Sequence, residues 1–240
     1  MTQLVLSLFP GIGILDRAFE EEGFCVVRGP DLLWGGDIKR FHPPAGRFEG
    51  VIGGSPCQCF SQLAHLVRHN GYELGENLVP EFERVVAEAA PAWFVMENVM
   101  QAPIPAVDGY VVDPSLLNAR WLGEKQSRLH RFSFGSAAGL RLRYETVALE
   151  SIDFERRVLA KHDALPKLRR ARDGSLKARN APNTPRTIPE ALELQGLPRD
   201  FFEESPFTVA MQRRMLGNAV PMPMGRALAG AIRSALERAP

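Results

Sequence analysis

The first 22 residues constrain the fold of this chain more than any other stretch. A β-rich apolar run from Leu4 to Phe9 is followed by the turn Pro10-Gly11-Ile12-Gly13, and residues 14–22 have helical spacing. A strand, a glycine turn and a helix in this order are typical of open α/β sheets, in which the turn lies at the strand's carboxyl end. Glycines there let a ligand approach the backbone. The sequence therefore predicts a ligand site at this edge of a sheet.

An acidic residue follows the second predicted strand, Phe24 to Val27. Asp31 lies 18 residues after Gly13, where an acid usually binds the hydroxyl pair of a ribose. The third glycine, which would cradle a pyrophosphate, is missing because Leu15 and Asp16 occupy its region. These features favour an adenosine-containing cofactor that lacks a pyrophosphate.

A cysteine follows the next apolar strand. Val51 and Ile52 lead into Gly53-Gly54-Ser55-Pro56-Cys57. Pro56 fixes its own φ and restricts Ser55, so the backbone before the cysteine is stiff. By itself this pattern leaves two interpretations open, a small buried residue or a nucleophile.

A carboxylate follows the strand after that. Pro80 to Ala90 is predicted as a helix, and Trp93 to Met96 as a buried strand that runs into Glu97-Asn98-Val99. Parallel strands bring their carboxyl ends to one edge, so we expect Glu97 near Cys57. Between them, residues 61–79 mix glycines with polar residues, as expected of a mobile loop.

Charge is unevenly distributed along the chain. Residues 1–100 carry a net charge of −6 and residues 101–240 a net charge of +7, although the whole chain is at +1. The basic stretch from Arg120 to Arg186 is either a solvated surface or a surface for a polyanion.

Other compositional features exclude several classes of protein. Three cysteines are too few for a disulfide framework, and no further ligands are spaced to complete a zinc site with them, so no metal is expected. No apolar run is long enough for a bilayer crossing, and a basic, apolar leader is lacking. We therefore expect no membrane partner and a cytoplasmic location, in a bacterium or a phage-infected host.

Several stretches, taken in order, resemble the DNA (cytosine-5)-methyltransferases, in a short form like those of phages and restriction-modification systems. Phe9-Pro10-Gly11-Ile12-Gly13 is similar to the first cofactor motif, Pro56-Cys57-Gln58 to the nucleophile motif, Glu97-Asn98-Val99 to the acid motif, Gln126-Ser127-Arg128-Leu129-His130-Arg131 to the Gln-x-Arg-x-Arg motif, residues 189–198 to the segment framing the recognition region, and Gly217-Asn218-Ala219-Val220-Pro221 to the last cofactor motif.

Several positions depart from the family's pattern, among them Thr184, where relatives often have an arginine. Ser7 stands where many relatives have an acid. His130 stands at the second arginine of Gln-x-Arg-x-Arg, with Arg131 directly after it. Either Arg131 replaces the arginine through a shift in register, or His130 makes the contact.

The resemblance implies a reaction and assigns residues to it. Cys57 would add to C6 of a flipped-out cytosine, Glu97 would act at N3, and Arg128 would supply positive field near O2. S-adenosylmethionine would bind at Phe9, Gly11, Ile12, Gly13, Asp31, Leu32, Asp37, Ile38, Pro56, Leu78, Asn218 and Ala219. Double-stranded DNA would contact Gln58, Ser61, Gln126, His130, Arg131, Arg169, Arg170, Arg172, Lys177, Arg179 and Arg186.

The expected architecture is a mostly parallel, Rossmann-like methyltransferase sheet with helices on both faces. Residues 1–135 and 206–240 would form this cofactor-binding body, with one long helix from about Met211 to Leu236. A small target-recognition domain, residues 136–205, would be inserted in it, and the protein would be a monomer. Two alternatives remain: an RNA cytosine-5 methyltransferase, and a DNA-binding protein that has lost catalysis.

Overall fold

The computed structural model describes residues 3–57, 59–60, 75–124, 126, 128–146 and 187–239, and the backbone of 168–170 and 176–178. Helices and strands within these ranges account for the predicted α/β class. Among the described helices, none has the length and apolar character that crossing a bilayer requires.

A six-stranded sheet forms the centre of the protein. Its strands are β1 (Leu4–Leu8), β2 (Cys25–Arg28), β3 (Gly50–Gly54), β4 (Trp93–Asn98), β5 (Val111–Asn118) and β6 (Leu129–Ser136). They lie in the order β2-β1-β3-β4-β6-β5. The first four are parallel, whereas β6 runs antiparallel to both β4 and β5. The strands predicted around the glycine turn, the cysteine and the acid are thus confirmed, and the parallel sheet gains an antiparallel pair at one end.

Helices cover both faces of the sheet. They are α1 (Ile14–Glu21), α2 (Val79–Ala89), α3 (Ile188–Leu194), α4 (Val209–Asn218) and α5 (Met222–Glu237). On one face, α1 and α5 pack against alternate sheet residues such as Trp93 and Phe134. On the other face, α2 packs against residues of opposite parity, including Phe94. This alternation decides which side chains after each strand share a face.

The prediction of a single C-terminal helix over residues 211–236 is wrong, because a non-helical segment separates α4 from α5. Pro221 is the N-cap of α5, and Ala219 and Val220 lie between the two helices. A proline has no amide hydrogen and disfavours helical geometry in the residue before it. The break therefore falls inside the stretch that resembles the last cofactor motif.

The predicted recognition domain, 136–205, meets the sheet body at both ends. Ser136 is the last residue of β6. At the other end, Leu192 of α3 and Phe202 pack in one cluster with Ile14 of α1 and Leu216 of α4. Between these ends the described backbone contains a short antiparallel hairpin, β7 (Leu168–Arg170) and β8 (Leu176–Ala178). The domain boundaries stay a prediction, and this packing favours a shorter insert.

Candidate active site

The carboxyl ends of β3 and β4 bring the predicted nucleophile and acid to the same edge. Gly54, three residues before Cys57, is paired in register with Glu97. A Cβ atom at Gly54 would lie 2.9 Å from Oε2 of Glu97, so the glutamate side chain crosses the end of β3 in space that only a glycine leaves open. Burial of the thiol and the charge of Glu97 both raise the pKa of Cys57, and Arg128 opposes them. The free protein thus holds Cys57 as a thiol at neutral pH.

Asn98 fixes the segment that leads to the cysteine. Its side-chain amide donates to the carbonyl oxygen of Ser55 at 3.1 Å and to the Ser55 hydroxyl at 2.8 Å. Its own side-chain oxygen accepts from the Val99 amide at 2.8 Å. Both Asn98 and Ser55 are buried, and these bonds join the loop after β3 to the end of β4. Sequence reasoning quoted Asn98 only as part of the acid motif and assigned it no role.

The antiparallel strand β6 places His130 and Arg131 on opposite faces of the sheet, because successive side chains of a strand alternate. Arg131 is the register partner of Asn98. Nδ1 of His130 is hydrogen-bonded to Oε1 of Glu97. His130 is thus the residue that contacts the acid, and which of the two takes the part of the motif's second arginine stays a prediction.

Arg131 lies on the opposite face of β6 and is only 8% exposed. Its guanidinium donates to the backbone carbonyls of Met100, Ala102 and Pro103, at 3.0, 2.6 and 2.8 Å. Burial lowers its pKa. The DNA contact predicted for Arg131 stays a prediction, and its donors hold the loop that follows β4.

Arg128 lies behind His130 and connects it to the C-terminal end of α4. Its Nε donates to Nε2 of His130 at 2.9 Å, and its terminal nitrogens donate to the carbonyls of Leu216 and Gly217 at 3.4 and 2.6 Å. Gln126 is also buried, and its amide donates to the carbonyl of Leu194 at 2.5 Å. This placement agrees with a role for Gln126 in ordering the site, whereas the DNA contacts predicted for Gln126 and His130 remain predictions.

The glycine turn after β1 and the acid after β2 are also in contact. Asp31 accepts from the Gly11 amide at 2.8 Å and from the Leu33 amide at 2.7 Å. Nε1 of Trp34 donates to the Gly11 carbonyl at 2.7 Å. Among the described residues, none besides the chain neighbours of Gly11 lies within 4 Å of the position that a Cβ there would take, so this side of the turn borders open space. Phe9 has a φ of 56°, which costs a non-glycine residue on the order of 1–3 kcal/mol and marks the turn as strained.

The other predicted cofactor residues lie in several parts of the structure. Asp37 caps the turn Ile38–Arg40 by accepting from the Lys39 amide at 3.0 Å. Ile38 and Leu78 are buried in the core on the α2 face. Leu32 is 74% exposed. The remaining positions are Ile12 in the turn, Gly13 as the N-cap of α1, Pro56 directly before the cysteine, and Asn218 and Ala219 at the end of α4.

A buried carboxyl group on α1 was missed as a partner for Ser7. The Ser7 hydroxyl donates to Oδ1 of Asp16 at 2.5 Å, and Nε of Arg28 lies 3.0 Å from Oδ2. Burial raises the pKa of Asp16 above its ordinary value. The acid that the family's pattern places at residue 7 is thus replaced here by a serine bonded to an acid from the neighbouring helix.

The predicted DNA contacts in the basic stretch cannot all be placed. Gln58, Ser61, Arg172, Arg179 and Arg186 lie outside the described residues, as does most of the predicted mobile loop 61–79. The backbones of Arg169, Arg170 and Lys177 belong to the β7–β8 hairpin, in which Arg169 and Lys177 are register partners.

The sheet order, the glycine turn and the helices on both faces define the Rossmann-like methyltransferase fold, and known structures share it. A protein encoded within an E. coli prophage matches with a TM-score of 0.62 at 17% identity, covering 99% of this chain and 100% of that one. The Entamoeba histolytica methyltransferase EhMeth matches with a TM-score of 0.62 at 12% identity, covering 98% and 99%.

The sequence comparison identifies the family. The profile of the C-5 cytosine-specific DNA methylases matches residues 35–103 and 148–234, and the chain belongs to this family. The orphan methyltransferase M.SPRI of Bacillus phage SPR is 27% identical over 189 residues, which are 64% of this chain and 41% of that protein. The type II methyltransferase M.HgiDI of Herpetosiphon aurantiacus is 29% identical over 166 residues, or 56% and 52%. The chain thus spans about half the length of these relatives.

Proposed function

We propose that this protein is a DNA cytosine-5 methyltransferase that methylates C5 of cytosine in duplex DNA with S-adenosylmethionine. The observation that carries the proposal is the placement of Cys57 and Glu97 at one sheet edge, in a chain of this family. Arg128 and His130 stand directly behind the acid and complete a polar site beside the thiol.

The glycine-turn end has groups that fit the cofactor. The open space beside Gly11 admits a ligand close to the backbone, and the Asp31 carboxylate at its edge suits ribose hydroxyls. Phe9 would lie against the adenine and Asp37 would accept from its amino group. S-adenosylmethionine supplies a methyl group on a sulfonium centre, which is the electrophile of the reaction.

Cytosine C5 is a poor nucleophile until the ring's aromaticity is broken. In the proposed step the Cys57 thiolate forms a bond to C6, the C5–C6 π pair moves to C4–C5, the C4–N3 π pair moves to N3, and N3 takes a proton from Glu97. The negative charge thereby passes from sulfur to the glutamate. After methylation of C5, water is the proposed base that removes the C5 proton. The electron pair of that C–H bond forms the C5–C6 double bond as the sulfur–C6 bond breaks. The thiolate is thereby regenerated, and N3 returns its proton to Glu97.

Ionisation of the thiol then has to accompany formation of the complex. Because burial and Glu97 hold the pKa of Cys57 above its ordinary value, little thiolate is present in the free protein. A protonated Glu97 would remove one of these two causes, and Arg128 favours the thiolate. The site is thus suited to form the Cys57 thiolate when Glu97 is protonated and the target cytosine is bound.

The target base must leave the duplex to reach these groups, because the thiol and the acid lie at the sheet edge and not on a protruding element. Loop 61–79 would close over the flipped base. The basic stretch within 120–186, including the β7–β8 hairpin, would hold the phosphates and reach base edges. We propose that the protein acts as a monomer, with the inserted segment as its target-recognition domain.

Two linked measurements test the proposal. Bisulfite sequencing of DNA from cells that express the protein should reveal methylated cytosines in one sequence context. A duplex with 5-fluorocytosine at that position should then trap a covalent adduct, because fluorine cannot leave as a proton. Cys57→Ser should abolish trapping, whereas the matched variant Cys59→Ser should retain it. Methylation without an adduct would overturn the addition step, and methylation of transfer RNA in preference to duplex DNA would change the substrate.

A further inference from the structure

Three side chains form a hydrogen-bonded series that ends at the acid. Nε of Arg128 donates to Nε2 of His130, and Nδ1 of His130 is bonded to Oε1 of Glu97. The side chains of His130 and Glu97 are about nine-tenths buried, so water contributes little to these contacts. The series stands where the family's pattern has an arginine in place of the histidine.

The direction of each hydrogen bond follows from the arginine. An arginine only donates, so Nε2 of His130 must be the acceptor and carries no hydrogen. A histidine without a hydrogen on Nε2 is neutral and has its hydrogen on Nδ1. Nδ1 therefore donates to Oε1 of Glu97, and Oε1 is an acceptor.

This direction restricts the position of any proton on Glu97. In a protonated carboxyl group the carbonyl oxygen is the stronger acceptor. Because Oε1 accepts from His130, a proton on the carboxyl group is therefore favoured on the other oxygen, Oε2. Oε2 is the oxygen that lies over Gly54, at the end of the strand that leads to Cys57. A hydrogen on Oε2 is thus on the side of the carboxyl group that lies over the end of β3.

We propose that His130 is a positioning residue that, as the neutral Nδ1–H tautomer selected by Arg128, keeps the transferable proton of Glu97 on Oε2. The inference rests on the proposed function, in which Glu97 protonates N3 as the Cys57–C6 bond forms. When that proton leaves Oε2, the new carboxylate is stabilised by the Nδ1–H donor and by the charge of Arg128 behind it. The histidine itself neither gains nor loses a proton in the step.

An arginine at residue 130 would act differently. It would place a full positive charge beside Glu97 and would favour the ionised carboxylate, and it could not accept from Arg128. The neutral imidazole passes on the effect of Arg128 without placing a charge next to the acid. The histidine and the Nε donor of Arg128 therefore belong together as a pair in this chain.

Substitutions that separate the two ring nitrogens test the inference by kinetics. His130→Asn keeps a donor near the Nδ1 position, His130→Gln places its amide near Nε2, and His130→Phe keeps the ring without either nitrogen. We expect kcat on duplex DNA to fall by about 10²-fold or more in His130→Phe and His130→Gln, and by less than about tenfold in His130→Asn. The dissociation constant for S-adenosylmethionine should stay unchanged in all three, which also shows that they fold.

The surface residue His42 supplies the matched control. Its side chain is 69% exposed and lies 3.0 Å from Glu88 of α2, which has no part in the proposed reaction. His42→Asn should leave kcat unchanged. Unchanged kcat in His130→Phe, or an equal loss in His130→Asn and His130→Phe, would overturn the proposed role.

A spectroscopic measurement tests the tautomer without DNA or turnover. In protein labelled with ¹⁵N-histidine, the resonances absent from His130→Asn identify His130, and long-range ¹H–¹⁵N correlation shows which nitrogen carries the hydrogen. We expect it on Nδ1, and we expect a mixture of tautomers in Arg128→Met. A hydrogen on Nε2 in the unaltered protein would contradict the inference. If the tautomer is found but no cytosine is methylated by the unaltered protein, the proposed function has failed and the geometry has not.

Discussion

The carboxyl edge of the sheet has two parts, and they are held in different ways. At the ends of β3 and β4, side chains bond to one another and to backbone carbonyls of several segments, as the buried Asn98 and His130 and the half-buried Arg128 do. At the ends of β1 and β2, Asp31 and Trp34 bond mainly to backbone groups of the adjacent turns. Large apolar side chains near these strand ends are exposed to solvent: Leu32 is 74% exposed and Trp34 is 58% exposed.

The difference corresponds to two kinds of task. Groups that act on a reacting bond have to be oriented before the reaction, since a displacement of about 1 Å can cost on the order of 10²-fold in rate. A binding turn can instead leave apolar surface exposed and cover it with the ligand. We therefore expect substitutions at the ends of β3 and β4 to lower kcat, and substitutions at the ends of β1 and β2 to weaken cofactor affinity.

Removal of the thiol should give the largest effect. We expect Cys57→Ser to lower methyl transfer by more than about 10⁴-fold, because a hydroxyl is a far weaker nucleophile than a thiolate. Cofactor affinity, measured by calorimetry, should change by less than about twofold, because within the described part of the chain no hydrogen bond joins the thiol to the glycine turn. Residual activity near that of the unaltered protein would remove Cys57 from the mechanism.

Loss of the Asn98 side chain should be the next largest effect. Asn98→Ala leaves the buried Ser55 carbonyl without its side-chain donor, which costs about 1–3 kcal/mol of folding stability. The loop before Cys57 should then shift, and kcat should fall by about 10- to 100-fold. Urea unfolding and steady-state kinetics measure the two. Lower stability with an unaltered kcat would show that the nucleophile's position does not depend on this bond.

At the ends of β1 and β2, Asp31→Ala should weaken the binding of S-adenosylmethionine. The substitution removes an acceptor for the Gly11 and Leu33 amides and the proposed acceptor for ribose. We expect the dissociation constant for S-adenosylmethionine to rise about 10- to 100-fold, with kcat at saturating cofactor within about threefold. Asp108→Asn, at an exposed residue of the loop before β5, is the control. A loss of kcat alone would contradict the assignment of cofactor binding to the ends of β1 and β2 and of catalysis to the ends of β3 and β4.

The smallest effect concerns the pH dependence of the thiol. The charge of Glu97 raises the pKa of Cys57, so Glu97→Gln should lower it and increase the thiolate fraction at a given pH. Alkylation of Cys57 by iodoacetamide, followed by peptide mass spectrometry, should therefore shift to lower pH and become severalfold faster near pH 8. Asp108→Asn should leave the profile in place. A shift to higher pH would show that Glu97 does not act on the thiol by its charge.

Local patterns were sufficient to predict the parallel part of the sheet and the positions of its functional ends. Apolar runs followed by glycines, by Pro56 or by Glu97 indicated where strands stop, because these residues set backbone freedom within a few positions. The break between α4 and α5 had a local signal as well, in Pro221, and it was missed because the surrounding residues continue a helical pattern.

The choice between His130 and Arg131 could not be predicted in this way. Both residues lie in the same motif, and the face of the sheet on which each side chain lies depends on how β6 is paired with β4. A shift of one residue in that register would exchange them. The same holds for Asn98, whose partner Ser55 is 43 residues away in the chain.

The sequence by itself determined which chemical groups are present and at which strand ends they emerge, because strand ends and turns depend on neighbouring residues. Only the tertiary structure decided which of those groups meet. The pairing of β4 with β6 and the packing of α4 behind them set the contacts of Glu97 with His130 and of His130 with Arg128. Such contacts join residues far apart in the chain, and their geometry follows from strand register and core packing, which no single stretch contains.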